Sequence, residues 1–338
     1  MNKSYSSIDF FKFIMAVCVV ALHTNLIKGC TNAIIIAIYD SFISLAVPFF
    51  FISSGFLLAR KLNYPFSDEQ SIDYIRLYLS RMIKLYLLWT AIYFPVAVYY
   101  FVNEDMGLIK AVLLYIKGFV FVGEQYNSWH LWYLLSTIYA LIIIIILLKY
   151  IHLKPEKILI MGMIVYIVGI VITYLVDFEG NMHILFLLIK KIVMYSISSG
   201  RILSGFMYIS VGMVIFRKQV SNVISVPVCL GSFALNVIIE NSIVSAILRA
   251  ICAVGLFMVV RNVNLSISPI YLFMRKVSTV IYFIHMYVWM LYYKLIYGKK
   301  SYGWDSFFVT TVVSVVIGSG YVYLKGKVVN KVYLKSKH

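Results

Sequence analysis

His23 stands near the end of a long apolar run, VVALHTN (19–25). An imidazole changes charge near neutral pH, so it can act as a general base. Lys12 lies eleven residues earlier, with Asp9 just before it. At about 100° and 1.5 Å per residue, Lys12 and His23 share one helix face and stand about 16 Å apart. A polar face on an otherwise apolar helix points into a bundle. The spacing also fits two end residues reaching opposite membrane surfaces, with Lys12 snorkelling to one of them.

Six further places carry residues of the same kind. NSWHLWYLLSTIYALI (127–142) opens on Trp129, His130, Trp132 and Tyr133, which suits either a substrate lining or an interfacial aromatic belt. In AVPFFFISSGFLLARK (46–61), Pro48 and Ser53-Ser54-Gly55 interrupt an apolar run. They serve as small helix-packing residues or mark an opened backbone beside a cavity. Arg201 begins another run, in SGRILSGFMYISVG (199–212), and Glu240-Asn241 forms a turn between two more. His285 sits in the middle of STVIYFIHMYVW (278–289). Arg249, inside an apolar run, is the costliest to bury and requires a carboxylate, a phosphate-bearing ligand or water. A histidine with a carboxylate makes an acid–base pair, and a nearby cation can hold an acyl-transfer oxyanion. The histidines lie on separate runs without HxxxH or HExxH spacing, so no metal site is expected. Cys18, Cys30, Cys229 and Cys252 form neither a metal pattern nor a disulfide framework.

The elements that hold these residues follow from composition. The 338 residues are 62% hydrophobic and 13% charged, with a mean hydropathy of +0.92. Soluble domains carry about 25% charged residues, so a solvated surface is excluded and an all-α polytopic membrane protein is expected. Ten segments reach spanning length: roughly 10–28, 38–59, 82–102, 130–149, 158–177, 201–217, 222–240, 243–261, 276–297 and 305–324. Segments 107–121 and 182–196 read as interfacial or re-entrant helices. Segment 68–86 reads as a basic surface helix running into the third span. With a cytoplasmic N-terminus, nineteen of the 30 lysines and arginines fall on the cytoplasmic side and eight outside. That bias predicts an N-in, C-in topology and explains the net charge of +17 without nucleic acid. One membrane domain is expected over 1–325, followed by a basic cytoplasmic tail over 326–338, in a bacterial-type plasma membrane.

The order of motifs resembles the membrane acyltransferase-3 family. The opening IDFFKFIMAVCVVALH is similar to that family's first span, and VPFFFISSGFLL, RMIKLYLLW, WHLWYL and VSTVIYFIHMYV follow in the family's order. The resemblance covers nearly the whole chain. It implies ten spans with both ends cytoplasmic, and transfer of an acyl group from cytoplasmic acyl-CoA, most often acetyl-CoA, to a cell-envelope acceptor. His23 matches the essential histidine, while Lys12 stands where the family usually has arginine. Lysine keeps the charge but loses the bidentate fork. WHLWYL, GRILSGFMYISVG and IEN are also similar to the membrane half of the vancomycin-resistance membrane serine racemases. There Arg201 and Glu240 have counterparts. No racemase domain follows the short tail, so that resemblance implies a free-standing relative or the membrane part of a longer product.

The reading that follows is an O-acyltransferase with no bound cofactor, using acyl-CoA as donor substrate. Catalysis is assigned to His23, Glu240 and Arg201. Donor binding is assigned to Lys12, Arg76, Arg81, Lys84 and Arg249, with Arg60 and Lys61 near the same phosphates. Acceptor contacts are assigned to Ser54, His130, Trp132, Tyr133 and His285. The expected partners are membrane lipid, acyl-CoA and a glycan or small hydroxyl acceptor. The alternative is a serine uptake or supply module, with Arg201 on the carboxylate and Glu240 on the ammonium; a non-catalytic scaffold is the third reading.

Overall fold

The computed structural model describes residues 5–125, 127–180, 183–196 and 200–335. Among them there are helices and no strands. They are α1 (Ser6–Thr24), α2 (Ala33–Ile43), α3 (Ala46–Ala59), α4 (Glu69–Asn103), α5 (Leu108–Lys117), α6 (Trp132–Lys149) and α7 (Pro155–Asp177). Then come α8 (Ile184–Ser196), α9 (Ser204–Arg217), α10 (Asn222–Ile238), α11 (Ser242–Asn262), α12 (Pro269–Tyr297) and α13 (Trp304–Lys335). Among the described residues, 9 helices are long and apolar enough to cross a membrane, with α2 and α3 counted as one span. Asn222–Ile238 is apolar but shorter. The protein is an all-α polytopic membrane protein.

Each helix end has a local cause. Asn32 caps α2 by accepting from Ile34 and Ile35 N–H, and Asp68 caps α4 by accepting from Ser71 N–H. Asn25, at φ 46, closes α1 in the left-handed conformation that asparagine tolerates. Segment 68–86 and the third expected span form one 35-residue helix, α4. At 1.5 Å per residue it is about 50 Å long, more than an apolar core of about 30 Å, so its basic start projects. The stretch 326–335, expected as a tail, continues α13, and 336–338 lie outside the described residues.

The chain divides into two compact units. The first holds Met1–Phe49, Ser221–Ile238 and Gly255–His338; the second holds Phe50–Val220 and Ile239–Val254. In the first, α1 packs along α12, and α12 packs along α13. Trp289 is fully buried there, and its Nε1 donates to the Ser301 carbonyl at 2.9 Å. In the second, α3, α6 and α7 surround α9. A Cβ on Gly55 would stand 2.0 Å from the Ile209 carbonyl oxygen, and one on Gly212 would stand 2.1 Å from that of Ile52. The Ser53-Ser54-Gly55 cluster is therefore a helix-packing surface: α3 runs unbroken so that α9 can approach its backbone.

Candidate functional site

The first unit gathers His23, His285, Lys12 and Asp9 along two helices. His23 lies in the last turn of α1, half-buried. Its ring stacks on that of His285, with centroids 5.3 Å apart and 28° between planes. His285 is 0% exposed. Its Nδ1 lies 3.0 Å from the Ile281 carbonyl oxygen. A carbonyl only accepts, so Nδ1 carries a proton.

The end of α1 is tied down around this pair. The Thr24 hydroxyl donates to the Val20 carbonyl at 2.8 Å, and the Tyr39 hydroxyl donates to that of Ala21 at 2.7 Å. The Gly303 N–H donates to the Thr24 carbonyl at 2.9 Å. Three ties from three segments hold the turn that carries His23.

At the other end of α1, Asp9 is 6% exposed and lies 3.4 Å from Arg275 Nη1. Lys12 is within electrostatic reach of both. Two basic side chains thus stand around one carboxylate, and Arg275 pairs with it. Arg275 was not a candidate from sequence, because nothing in its own segment points to Asp9. The contacts Phe10–Tyr271, Asp9–Arg275 and His23–His285 ascend together, so α1 and α12 run parallel.

The second unit holds the other candidates. Ser54 and Tyr133 share a hydrogen bond at 3.0 Å, and Tyr78 bonds to the same Ser54. His130 is 2% exposed and meets Tyr93 edge-on at 5.3 Å. Arg201 is ion-paired with Glu124 and lies 5.2 Å over the Trp132 ring. Glu124 also escaped the sequence reading, since it falls in an irregular link. Arg249 donates from Nε to the Ser245 carbonyl at 3.3 Å.

Arg76, Arg81 and Lys84 are exposed on α4, and Arg76 pairs with Asp73 at 2.8 Å. Glu240 is exposed in the link between α10 and α11. In unit one, then, the structure joins His23 to His285 and Asp9 to Arg275, with Lys12 within electrostatic reach of that pair. In unit two it joins Ser54 to Tyr133 and Arg201 to Trp132.

Comparison with known proteins adds a family. The acyltransferase domain of the acyltransferase 3 family matches residues 5–323. Two proteins of Enterococcus faecalis named amino-acid racemase are similar: one is 33% identical over 156 residues, 46% of this chain and 21% of the relative, the other 32% over 169 residues, 50% and 22%. A serine/alanine racemase of Enterococcus gallinarum is 29% identical over 167 residues, 48% of this chain and 22% of the relative. The chain therefore matches only about a fifth of the length of these curated relatives. No solved structure matches. With nearly its whole length matched, the chain belongs to the acyltransferase 3 family of membrane proteins.

Proposed function

We propose that the protein transfers an acyl group, acetyl by preference, from cytoplasmic acyl-CoA to a hydroxyl of a cell-envelope acceptor. The observation that carries this reading is the half-buried His23 of a family acyltransferase domain, stacked on a buried second histidine. His23 removes the proton from the acceptor hydroxyl. The hydroxyl oxygen attacks the thioester carbonyl, the C–S bond breaks, and the proton passes from His23 to the departing CoA thiolate. His285 is a positioning residue, and its stack limits the orientations open to His23.

The basic side chain of Lys12 and the exposed Arg76, Arg81 and Lys84 are assigned to the donor's phosphates. Ser54, His130, Trp132 and Tyr133 are assigned to the acceptor. Arg201 steadies developing negative charge, and Glu240 is the carboxylate that would repolarise a histidine. The test is purified protein with radiolabelled acetyl-CoA and envelope acceptors, beside a His23→Ala control. Thioester loss that needs both acceptor and His23 is expected. Equal loss from the control would overturn the reading.

The racemase relatives favour a second reading, delivery of serine or a similar zwitterion without acyl transfer. Saturable serine uptake into vesicles, with no thioester loss under any acceptor, would select it.

A further inference from the structure

Arg249 sits two turns into α11, about 10 Å from the helix start. It is half-buried, and its side chain turns back along the helix, Nε donating to the Ser245 carbonyl at 3.3 Å. Long helical side chains lean toward the helix start, which brings the guanidinium closer to the end of the span. The next carbonyl, that of Ala246, accepts from the Tyr166 hydroxyl at 3.0 Å. Tyr166 and Tyr208 hydroxyls are 3.2 Å apart. Tyr166 has one proton and gives it to Ala246, so Tyr208 gives its own to Tyr166. Both phenol protons are consumed, and only oxygen lone pairs are left to meet the guanidinium, which lies within electrostatic reach of both hydroxyls.

The frame around them is fixed. Tyr208 is buried and stacks parallel to Phe51 at 7°, and the Tyr166 ring meets it edge-on at 5.5 Å. Among the described residues, no ion pair includes Arg249. The partners described for it are neutral acceptors. A cation inside a span requires a counter-charge, or water. The planar fork of N–H donors matches two phosphate oxygens at once, and at this depth the membrane itself offers phosphate.

We propose that Arg249, braced by the Tyr208–Tyr166–Ala246 chain, is a phosphate-binding subsite of the second unit. The phosphate comes from a lipid headgroup or from a soluble phosphoanhydride. With the α10–α11 link outside, as the charge bias predicts, Arg249 lies toward the outer end of α11, away from a cytoplasmic donor, and the subsite stands whether or not acyl transfer occurs.

Binding without turnover tests it. Wild-type protein and Arg249→Gln, delipidated in neutral detergent, are titrated with phosphatidylglycerol in one arm and inorganic pyrophosphate in the other. Retention is read by native mass spectrometry and by the thermal unfolding shift. Arg249→Gln is expected to bind about tenfold more weakly, the loss of about one strong charged contact. Binding in the lipid arm alone identifies a headgroup, and binding in the pyrophosphate arm alone a soluble source. If Arg249→Gln is not monodisperse, Arg249→Lys carries the test. It keeps the charge, loses the fork, and is expected to bind severalfold more weakly. Phosphate bound equally by wild type and variant, or retained by wild type in neither arm, overturns the proposal.

Discussion

His23 and His285 come from opposite ends of the chain and meet ring on ring. If His23 takes the acceptor's proton, His23→Ala should lower turnover by about 10²–10⁴, the range for a lost general base, while the protein stays monodisperse in gel filtration. His285→Phe keeps an aromatic ring in the stack but removes the Nδ1 anchor on Ile281. It should lower kcat, leave KM for acyl-CoA unchanged and alter the pH–rate profile; a profile overlaying the wild type would reduce His285 to packing. A second residue-scale prediction concerns Asp9, the carboxylate shared by Lys12 and Arg275. Asp9→Asn removes a charge-assisted hydrogen bond and should cost about 1.5–3 kcal/mol in thermal unfolding. Arg275→Gln added to it should cost less than the two single changes together, because the pair is coupled. The periodicity of α1 put Lys12 and His23 on one face, and that much was legible. Their partners were not, since Arg275 and His285 lie far along the chain and helical spacing carries no information on such contacts. Glu124 escaped for the same reason as the partner of Arg201.

Small residues decide the packing of the elements. In AVPFFFISSGFLLARK the sequence left a packing surface and an opened backbone as equal readings, because Pro, Ser and Gly mark both. The approach of α9 separates them. Gly55→Ala places a Cβ 2.0 Å from the Ile209 carbonyl, against backbone that cannot swing aside. It should destabilise by about 1–3 kcal/mol or more. Gly231→Ala is the control, with nothing within 4 Å of the added Cβ. That helical site should gain stability, by up to about 1 kcal/mol. Thermal unfolding of both variants in one detergent checks the contrast. The start of α4 carries a pH signature. The Ser71 hydroxyl and N–H bond to the half-buried Asp68 carboxylate and hold its pKa below the ordinary value. A depressed carboxylate stabilises the fold above its unfolded pKa, and the contribution is lost as pH falls through the folded value. Asp68→Ala should remove about 1 kcal/mol near neutral pH, and the difference from wild type should shrink in acid. Asp68 and the run behind it were legible as a helix running into the third span, and the two form the one helix α4.

At the scale of the molecule, helix direction counts the crossings. Because α1 and α12 run parallel, the chain crosses the membrane an even number of times from the start of one to the start of the other. Without α10, the long helices between them give an odd number. The prediction is therefore that the shorter Asn222–Ile238 crosses as well, which would make ten spans, the number expected from the sequence. Lys117 Nζ donates to the Met194 carbonyl at 2.6 Å, so the α4–α6 and α7–α9 links share one side, as an even number of crossings between them requires. Apolar length could only make α10 a marginal candidate; its status comes from a contact two helices away. The charge bias then predicts which side is which, with both termini cytoplasmic. In a cysteine-free background, Glu240→Cys should react with an impermeant maleimide in intact cells. Lys218→Cys and Val263→Cys should react only after the membrane is opened. These positions flank α10 and α11, so each helix is tested by a change of side. If Lys218→Cys and Glu240→Cys label from the same side, α10 does not cross. Another crossing would then be needed elsewhere to let α12 run beside α1 in the same direction.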